Sequence, residues 1–546
     1  HPNPVCALVS RKNRDLSGRA GLSFSVKADG IYRLWVHVRD ENPASPFEGA
    51  EAWSDSFRTT TEWRRITVPF SVMQSRDPNS DGQLDLDELR ARYPALRVAN
   101  DTANVSINGL KGTPLMVGDT LYLSTPLYRA AAIDAMTGKT RWVYDPRAYE
   151  SGTPAVVPWN HRGVAYWENS GEARVVWATG DGYLVAVDAK TGLPATDFGN
   201  HGRVDLTDGL PRAPRGGRDS RNHLWLSSQS PPLVLGDSIV VGSSISDATI
   251  SKAMPPGWAR AYDARTGRHK WDFHTVPQSA DEYGADTWLN ESWRDAGNTN
   301  IWSIMSGDPE LGYVYLPIGT PTSDYYGGHR PGDNLFAESL VAVDIETGQR
   351  QWHFQMVHHG LWDYDNPAAP NLIDVVIDGR AVKAVAQVTK QGYLYAFDRV
   401  TGEPVWPIDE RPVPTDTDLV GETPSPTQPF PTKPAPFEYQ GTSIDDLVDF
   451  TPEIRQLAID AVDGFRLGPL YTPNTRAGTL FRPSIGGGAN WSGAAVDPES
   501  GLLYVTSRNA HSVMGYREPE PGEESTLRYV VEFRRQGPQM PQGLPL

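Results

Sequence analysis

"LVAVDIETGQRQW", residues 340–352, decides the fold. Apolar and small residues alternate into Asp344, the chain turns through Ile-Glu-Thr to Gly348, and a second short run ends on Trp352. The Asp and Thr side chains can bond turn amides, and the Gly accepts the positive φ that other residues resist. The string therefore reads as two antiparallel strands joined by a tight turn. It recurs as "AAAIDAMTGKTRW" (130–142), "LVAVDAKTG" (184–192), "ARAYDARTGRHKW" (259–271) and "LYAFDRVTGEPVW" (394–406), with a weaker copy, "GAAVDPESGLLYV" (493–505). Repetition of one strand–turn–strand unit over some 370 residues implies a β-propeller in which each copy supplies part of a blade. The Trp four residues after the Gly is placed to wedge against the neighbouring unit.

The composition agrees with that reading and narrows the function. Seventeen tryptophans, 51 glycines and 46 prolines in 546 residues suit short strands, tight turns and large rings between layers. A formal net charge of −17 leaves no basic field for a nucleic-acid backbone. No apolar run is long enough to cross a bilayer. The single cysteine, Cys6, excludes an internal disulfide framework and any cysteine-based metal cluster.

Two segments depart from the repeat. Residues 403–485 contain an extended proline-rich run, "RPVPTDTDLVGETPSPTQPFPTKPAPF", and then "TPEIRQLAIDAVDGF", which predicts one helix with a Thr cap and a Glu third in the helix. This stretch is expected to cross one propeller face as an inter-blade excursion. Residues 1–107 lack the repeat. "GLSFSVKADGIYRLWVHVRDE" and "TTTEWRRITVPFSVM" alternate like sandwich strands and resemble galactose-binding-like jelly-roll modules. Within them "DPNSDGQLDLDE" (77–88) fits an EF-hand loop, with Asp77, Asn79, Asp81, Gln83 by its carbonyl, Asp85 and Glu88 as oxygen ligands and Gly82 at the turn. The same string also closes sandwiches ahead of a last strand, without metal.

From about 108 to 546 the chain resembles the quinoprotein dehydrogenases that bind pyrroloquinoline quinone (PQQ), the glucose dehydrogenase branch first and the alcohol and methanol dehydrogenases next. The resemblance is carried by "RGVAYW" (162–167), "SPPLVLGDSIVVGSS" (230–244), "GNTNIWSIMSGDPELGYVYLP" (297–317), "HHGLWDYD" (358–365), "VTKQGYLYAFDR" (388–399) and "GGGANWSGAAVDP" (486–498), in that order. It implies an all-β, eight-bladed-type propeller behind an N-terminal β-sandwich. It also implies a PQQ- and Ca²⁺-dependent oxidation of a glucose-like sugar or another alcohol, with electrons passed to ubiquinone or a cytochrome, in the periplasm. By the same resemblance Asp363 is the base for the substrate hydroxyl and Lys390 stands beside the quinone oxygens. Arg162 pairs with a cofactor carboxylate, Trp302 stacks on its ring, and Ser244 and Asn490 are polar contacts. Asp247 and Asp324, with Asp363, are the acidic Ca²⁺ ligands, and Asp at both of the first two positions points to the glucose branch. His358 and His359 are then scaffold and mouth-lining groups, and Asp365 structures its loop.

Departures from the family pattern qualify this. Val156 and Val157 stand where the alcohol branch has adjacent cysteines, so the vicinal disulfide is gone. Lys111 occupies a position that is acidic in some relatives. The chain begins without Met and ends in "PQMPQGLPL", and six repeats in an eight-bladed family lead to the expectation of a fragment whose ring is incomplete. Two other readings remain: a non-catalytic propeller scaffold, such as those that serve outer-membrane assembly, and a truncated quinoprotein without activity.

Overall fold

The computed structural model describes residues 21–26, 33–41, 50–58, 64–69, 74–75, 112–212, 223–247, 251–377, 379–523, 525–532, 540 and 546. Cys6, the loop 77–88 with its candidate calcium ligands, and Lys111 lie outside them. The chain divides into two compact units, His1–Val105 and Ser106–Leu546. In the first, Gly21–Val26 pairs antiparallel with Arg64–Pro69, and Ala50–Arg58 runs between Arg33–Glu41 and Gln74–Ser75.

In the second unit, successive antiparallel sheets follow the repeats. Blade one is Leu115–Val117, Thr120–Ser124, Ala130–Asp134 and Thr140–Tyr144; blade two is Ala165–Asn169, Glu172–Ala178, Tyr183–Asp188 and Arg203–Asp205. Leu233–Leu235, Ser238–Val241, Ala259–Asp263 and His269–Phe273 form blade three. Ser306–Asp308, Tyr313–Pro317, Ser339–Asp344 and Arg350–Gln355 form blade four. Blade five has three strands, Asn371–Ile377, Arg380–Val388 and Leu394–Asp398, and the weak sixth repeat is the hairpin Ala494–Asp497/Leu502–Val505. From blade two onward the first strand of each sheet touches the first strand of the next, as far as that hairpin. This is the arrangement of a β-propeller.

The turn chemistry is the same in the first four copies. Asp134 Oδ1 accepts from the Thr137 amide and hydroxyl, both at 2.8 Å, and Asp188, Asp263 and Asp344 repeat the pattern with Thr191, Thr266 and Thr347 at 2.6–2.8 Å. The tryptophans dock as the spacing requires. Trp142 lies over Gly192 of the next repeat, Trp271 over Gly348 and Trp352 over Gly402, so closely that a Cβ on those glycines would fall 2.6–2.7 Å from a ring atom. Each indole Nε1 also donates to a carbonyl three residues before that glycine: Ala189 at 2.9 Å, Ile345 at 2.9 Å and Arg399 at 3.1 Å. The second repeat has no Trp, and buried Phe198 takes its place near Gly267. Trp406 finds no such seat, because nothing lies within 4 Å of a Cβ on Gly501.

The interval after blade five holds the antiparallel pair Ile408–Pro412/Thr427–Pro431 and a helix, α1, Pro452–Val462. Thr451 caps α1 by accepting from the Ile454 amide, so the expected cap is present. The expected Glu is one place early: Glu453 stands second in the helix, and Ile454 occupies the third position that a capping box would need. Leu419, Phe430, Leu470, Tyr471 and Phe481 from this interval pack into one core with Trp362 and Tyr364.

Removing the Trp271 ring should cost about 3–5 kcal/mol, the usual loss for a buried aromatic. Gly348→Ala should cost at least 1 kcal/mol at φ +70 with the ring in place. In a double-mutant cycle read by chemical denaturation, the pair should lose less than the sum of the singles by roughly 1 kcal/mol or more. Strict additivity would show that the ring and the glycine do not touch.

Candidate functional site

The loops between repeats enclose a cavity of about 590 Å³. Arg162, Ser244, Asp247 and Trp302 line it, as do Asp324, Asp363, Lys390 and Asn490. The candidates picked from the propeller sequence therefore share one site, together with Val156 and Val157.

Asp363 and Lys390 form its charged centre. The Lys390 ammonium donates to Asp363 Oδ1 at 2.8 Å, to the Asp363 carbonyl at 2.7 Å and to Asp365 Oδ2 at 2.8 Å. This lysine is 4% exposed, where a turn lysine would ordinarily reach water. Burial opposes its charge, but the two aspartates outweigh that and hold it protonated. They divide the work. Asp365 also accepts from the Thr320 amide at 2.6 Å and hydroxyl at 3.0 Å; despite burial, Lys390 and these bonds hold it down at about 2. Asp363 accepts from Lys390 and, at 3.1 Å, from the Tyr325 hydroxyl, and burial with the charge and hydrogen bond of the neighbouring Asp365 pushes its carboxyl well above the ordinary range. One aspartate anchors and the other is poised to take a proton.

The backbone presents Asp363 in an unusual way. Its φ is 57°, a left-handed conformation that Asp tolerates better than most residues, and its amide donates to the Asp324 carbonyl at 3.3 Å. That bond sets two candidate metal-binding carboxylates on adjoining strands of chain. Burial and the charges of Asp247, Asp363 and Asp365 push the Asp324 carboxyl upward, so the lining favours a cation. Asp247 itself is exposed. No three His, Cys, Asp or Glu side chains among the described residues converge into a ready-made metal cage.

The rest of the 357–367 loop is scaffold. His358 bonds Gln355 and Glu410, and His359, 1% exposed, reaches Glu422 at 2.7 Å and the Gly332 carbonyl at 2.8 Å. Trp362 donates to the Thr472 carbonyl and Tyr364 to the Pro483 carbonyl, both at 2.8 Å, while Asn474 donates to the Leu361 carbonyl at 2.6 Å. The excursion thus clamps the loop that carries Asp363.

Arg162 faces the cavity with its cation unspent. It is 4% exposed and bonds only the Ser230 hydroxyl and the Trp302 carbonyl, each at 3.1 Å. Its guanidinium lies 5.1 Å from the centre of the Trp302 ring and 5.4 Å from that of Trp491. No carboxylate pairs with it among the described residues, its Nε has no partner, and burial pulls it down to about 10. The Ser244 hydroxyl is likewise buried without a partner, and so are both amide ends of Asn160, a cavity residue that no motif marked. Unpaired guanidinium, hydroxyl and amide groups beside an indole plane suit a flat anionic ligand rich in carboxylates and carbonyls. Asn490 differs: its amide donates to the Gly486 carbonyl at 2.8 Å and accepts from the Trp491 amide at 2.7 Å, serving its own turn. At Val156 and Val157 φ is 22° and 44°, strained for β-branched residues. Gln229 holds the turn by donating to both carbonyls.

Residues 92–543 match the family described as "PQQ: Glucose/ethanol/alcohol dehydrogenase, beta-propeller domain". The chain is 34% identical over 423 residues to the quinate/shikimate dehydrogenase (quinone) of Acinetobacter baylyi, covering 72% of this chain and 49% of that one. It is 32% identical over 404 residues to the quinoprotein glucose dehydrogenase of Escherichia coli, covering 71% and 48%. Among solved structures, a quinohemoprotein alcohol dehydrogenase from Pseudomonas putida superposes with a TM-score of 0.54 at 25% identity, over 78% of this chain and 54% of that one. The chain spans about half the length of these curated relatives.

A buried cation without an acid is a standing cost to the fold. Arg162→Met should raise the stability of the protein, measured without added ligand, by roughly 1 kcal/mol. Equal or lower stability would mean that Arg162 is structurally satisfied.

Proposed function

Because the chain belongs to the PQQ-type glucose/ethanol/alcohol dehydrogenase β-propeller family, we propose that it oxidises a hydroxyl group of a sugar or other alcohol. The observation that carries the reading is the Lys390–Asp363 pair facing a cavity whose other walls hold unpaired Arg162 and Ser244. When bound, PQQ supplies the two-electron acceptor and Ca²⁺ the Lewis acidity at its carbonyl.

The protein's own residues do the rest. Arg162 holds a cofactor carboxylate, relieving its unpaired charge, and Trp302 offers its ring plane. Asp363 receives the hydroxyl proton at its carboxylate, the raised proton affinity making it the stronger base of the two aspartates on Lys390. Lys390 fixes that carboxylate and puts a cation where negative charge gathers. Asp247, Asp324 and Asp363 offer the hard oxygens that calcium requires. The relatives named for glucose and for quinate/shikimate support hydroxyl oxidation in general. A quinone or cytochrome acceptor and a periplasmic site follow from the family alone.

Asp363→Asn keeps the volume but cannot accept the proton, so kcat in a dye-linked assay should fall by more than about ten-fold while PQQ affinity stays within a few-fold. Residual turnover above about a tenth of wild type would assign the base elsewhere. Metal analysis after reconstitution with PQQ should find one Ca²⁺ at this site, removed by chelator together with activity. Stoichiometric zinc would contradict a carboxylate site.

A further inference from the structure

Arg508 lines the same cavity, and no role above uses it. It follows the Leu502–Val505 strand, its amide donates to the Gly488 carbonyl at 2.8 Å, and a Cβ on Gly486 would fall 3.4 Å from its Nη1. The guanidinium therefore lies along the Gly486–Gly488 arm. In the same arm a Cβ on Gly487 would fall 2.5 Å from Lys390 Cγ. Both side chains thus pack against this glycine arm.

The residue is exposed, and its side chain has neither an ion-pair nor a hydrogen-bond partner among the described residues. Exposed Arg147, Arg294 and Arg411 each meet a carboxylate within 3.4 Å; Arg508, like exposed Arg268 and Arg380, meets none among the described residues, and of these three it is Arg508 that lines the cavity. Lys390 is neutralised by two aspartates and Arg162 is buried, so Arg508 is the cation an incoming molecule would meet. Asp247, Asp324, Asp363 and Asp365 would repel an anionic substrate that had no counter-cation at hand. A neutral sugar or alcohol gains only ordinary N–H to hydroxyl bonds from an unpaired guanidinium, whereas a carboxylate gains a charged bidentate pair.

We propose that Arg508 anchors a substrate carboxylate, and that the preferred substrates are hydroxy acids rather than neutral sugars or alcohols. This rests on the dehydrogenase reading above. The test uses the full chain loaded with PQQ and Ca²⁺, and two matched pairs: D-glucuronate with D-glucose, and glycerate with glycerol. In at least one pair the acid should have the higher kcat/KM, and Arg508→Gln should lower the acid-to-neutral ratio at least ten-fold, mainly through the KM of the acid. Arg508→Lys should restore part of it. PQQ affinity, followed by fluorescence titration, should stay within two-fold in both variants. An unchanged ratio overturns the proposal. So does a fall in PQQ affinity, which would give Arg508 to a cofactor carboxylate. Calorimetric binding of the two acids separates the two readings: Arg508-dependent binding without turnover supports the anchor and counts against the dehydrogenase, and acid binding that ignores Arg508 overturns the anchor.

Discussion

An indole ring lying on a bare peptide is the contact from which the rest of this structure is built. Trp142, Trp271 and Trp352 each reach into the next repeat and settle over its turn glycine, in a space too small for a Cβ. Three requirements meet there. The ring needs a flat seat, its N–H needs a buried acceptor, and the turn needs positive φ, and a glycine in a tight turn helps to meet all three. One repeat therefore determines where the next begins, and the loops between repeats come together around a cavity whose lining spans residues 156 to 508. Where the seat is not used, at Gly501, the chain between repeats is long and shares an aromatic core with Trp352, Trp362 and Tyr364.

That long excursion answers a need created by the site. Asp363 sits in left-handed backbone within a loop without regular structure, and such a loop would move if left alone. Its neighbours Leu361, Trp362 and Tyr364 are bonded to Asn474, Thr472 and Pro483, and His359 is bonded to Glu422. The loop is rigid because another segment supplies its partners. Lys390 adds the last restraint by holding the Asp363 carbonyl and carboxylate at once. A carboxylate held this way cannot swing to water, and its proton affinity is governed by its neighbours rather than by its own rotamers.

The propeller was legible because its information is local and repeated. Asp134 and Thr137 close a turn wherever that spacing occurs, and the Trp–Gly offset repeats with it. The N-cap of α1 was legible for the same reason, whereas the placing of Glu453 was misread by one residue. The site was legible only through family motifs, since nothing local distinguishes Lys390 from a surface lysine. What stayed hidden depends on partners distant in sequence. Asp365 reads as a loop residue, yet it shares Lys390 with Asp363. Asn160 and Arg508 matter because of what does not touch their side chains, and that is a property of the assembled cavity. Asn490 shows the converse, a motif residue whose amide is engaged in its own turn.

The cavity is an expensive construction, gathering unpaired polar groups and positive backbone φ in one lining. Arg162 gives up solvation without gaining an acid, Ser244 and Asn160 give up hydrogen bonds, and Val156 and Val157 hold positive φ. Each is a small destabilisation, of order 1–3 kcal/mol, and all are concentrated on one wall-lined space. Folding alone has no use for that concentration. It becomes intelligible if a ligand meets the same groups, because binding to the folded state then returns the deficit as affinity. The aspartates follow the same logic with the opposite sign, since their mutual repulsion is relieved by a cation. The Trp–Gly contacts supply the stability that lets the cavity remain polar, strained and ready.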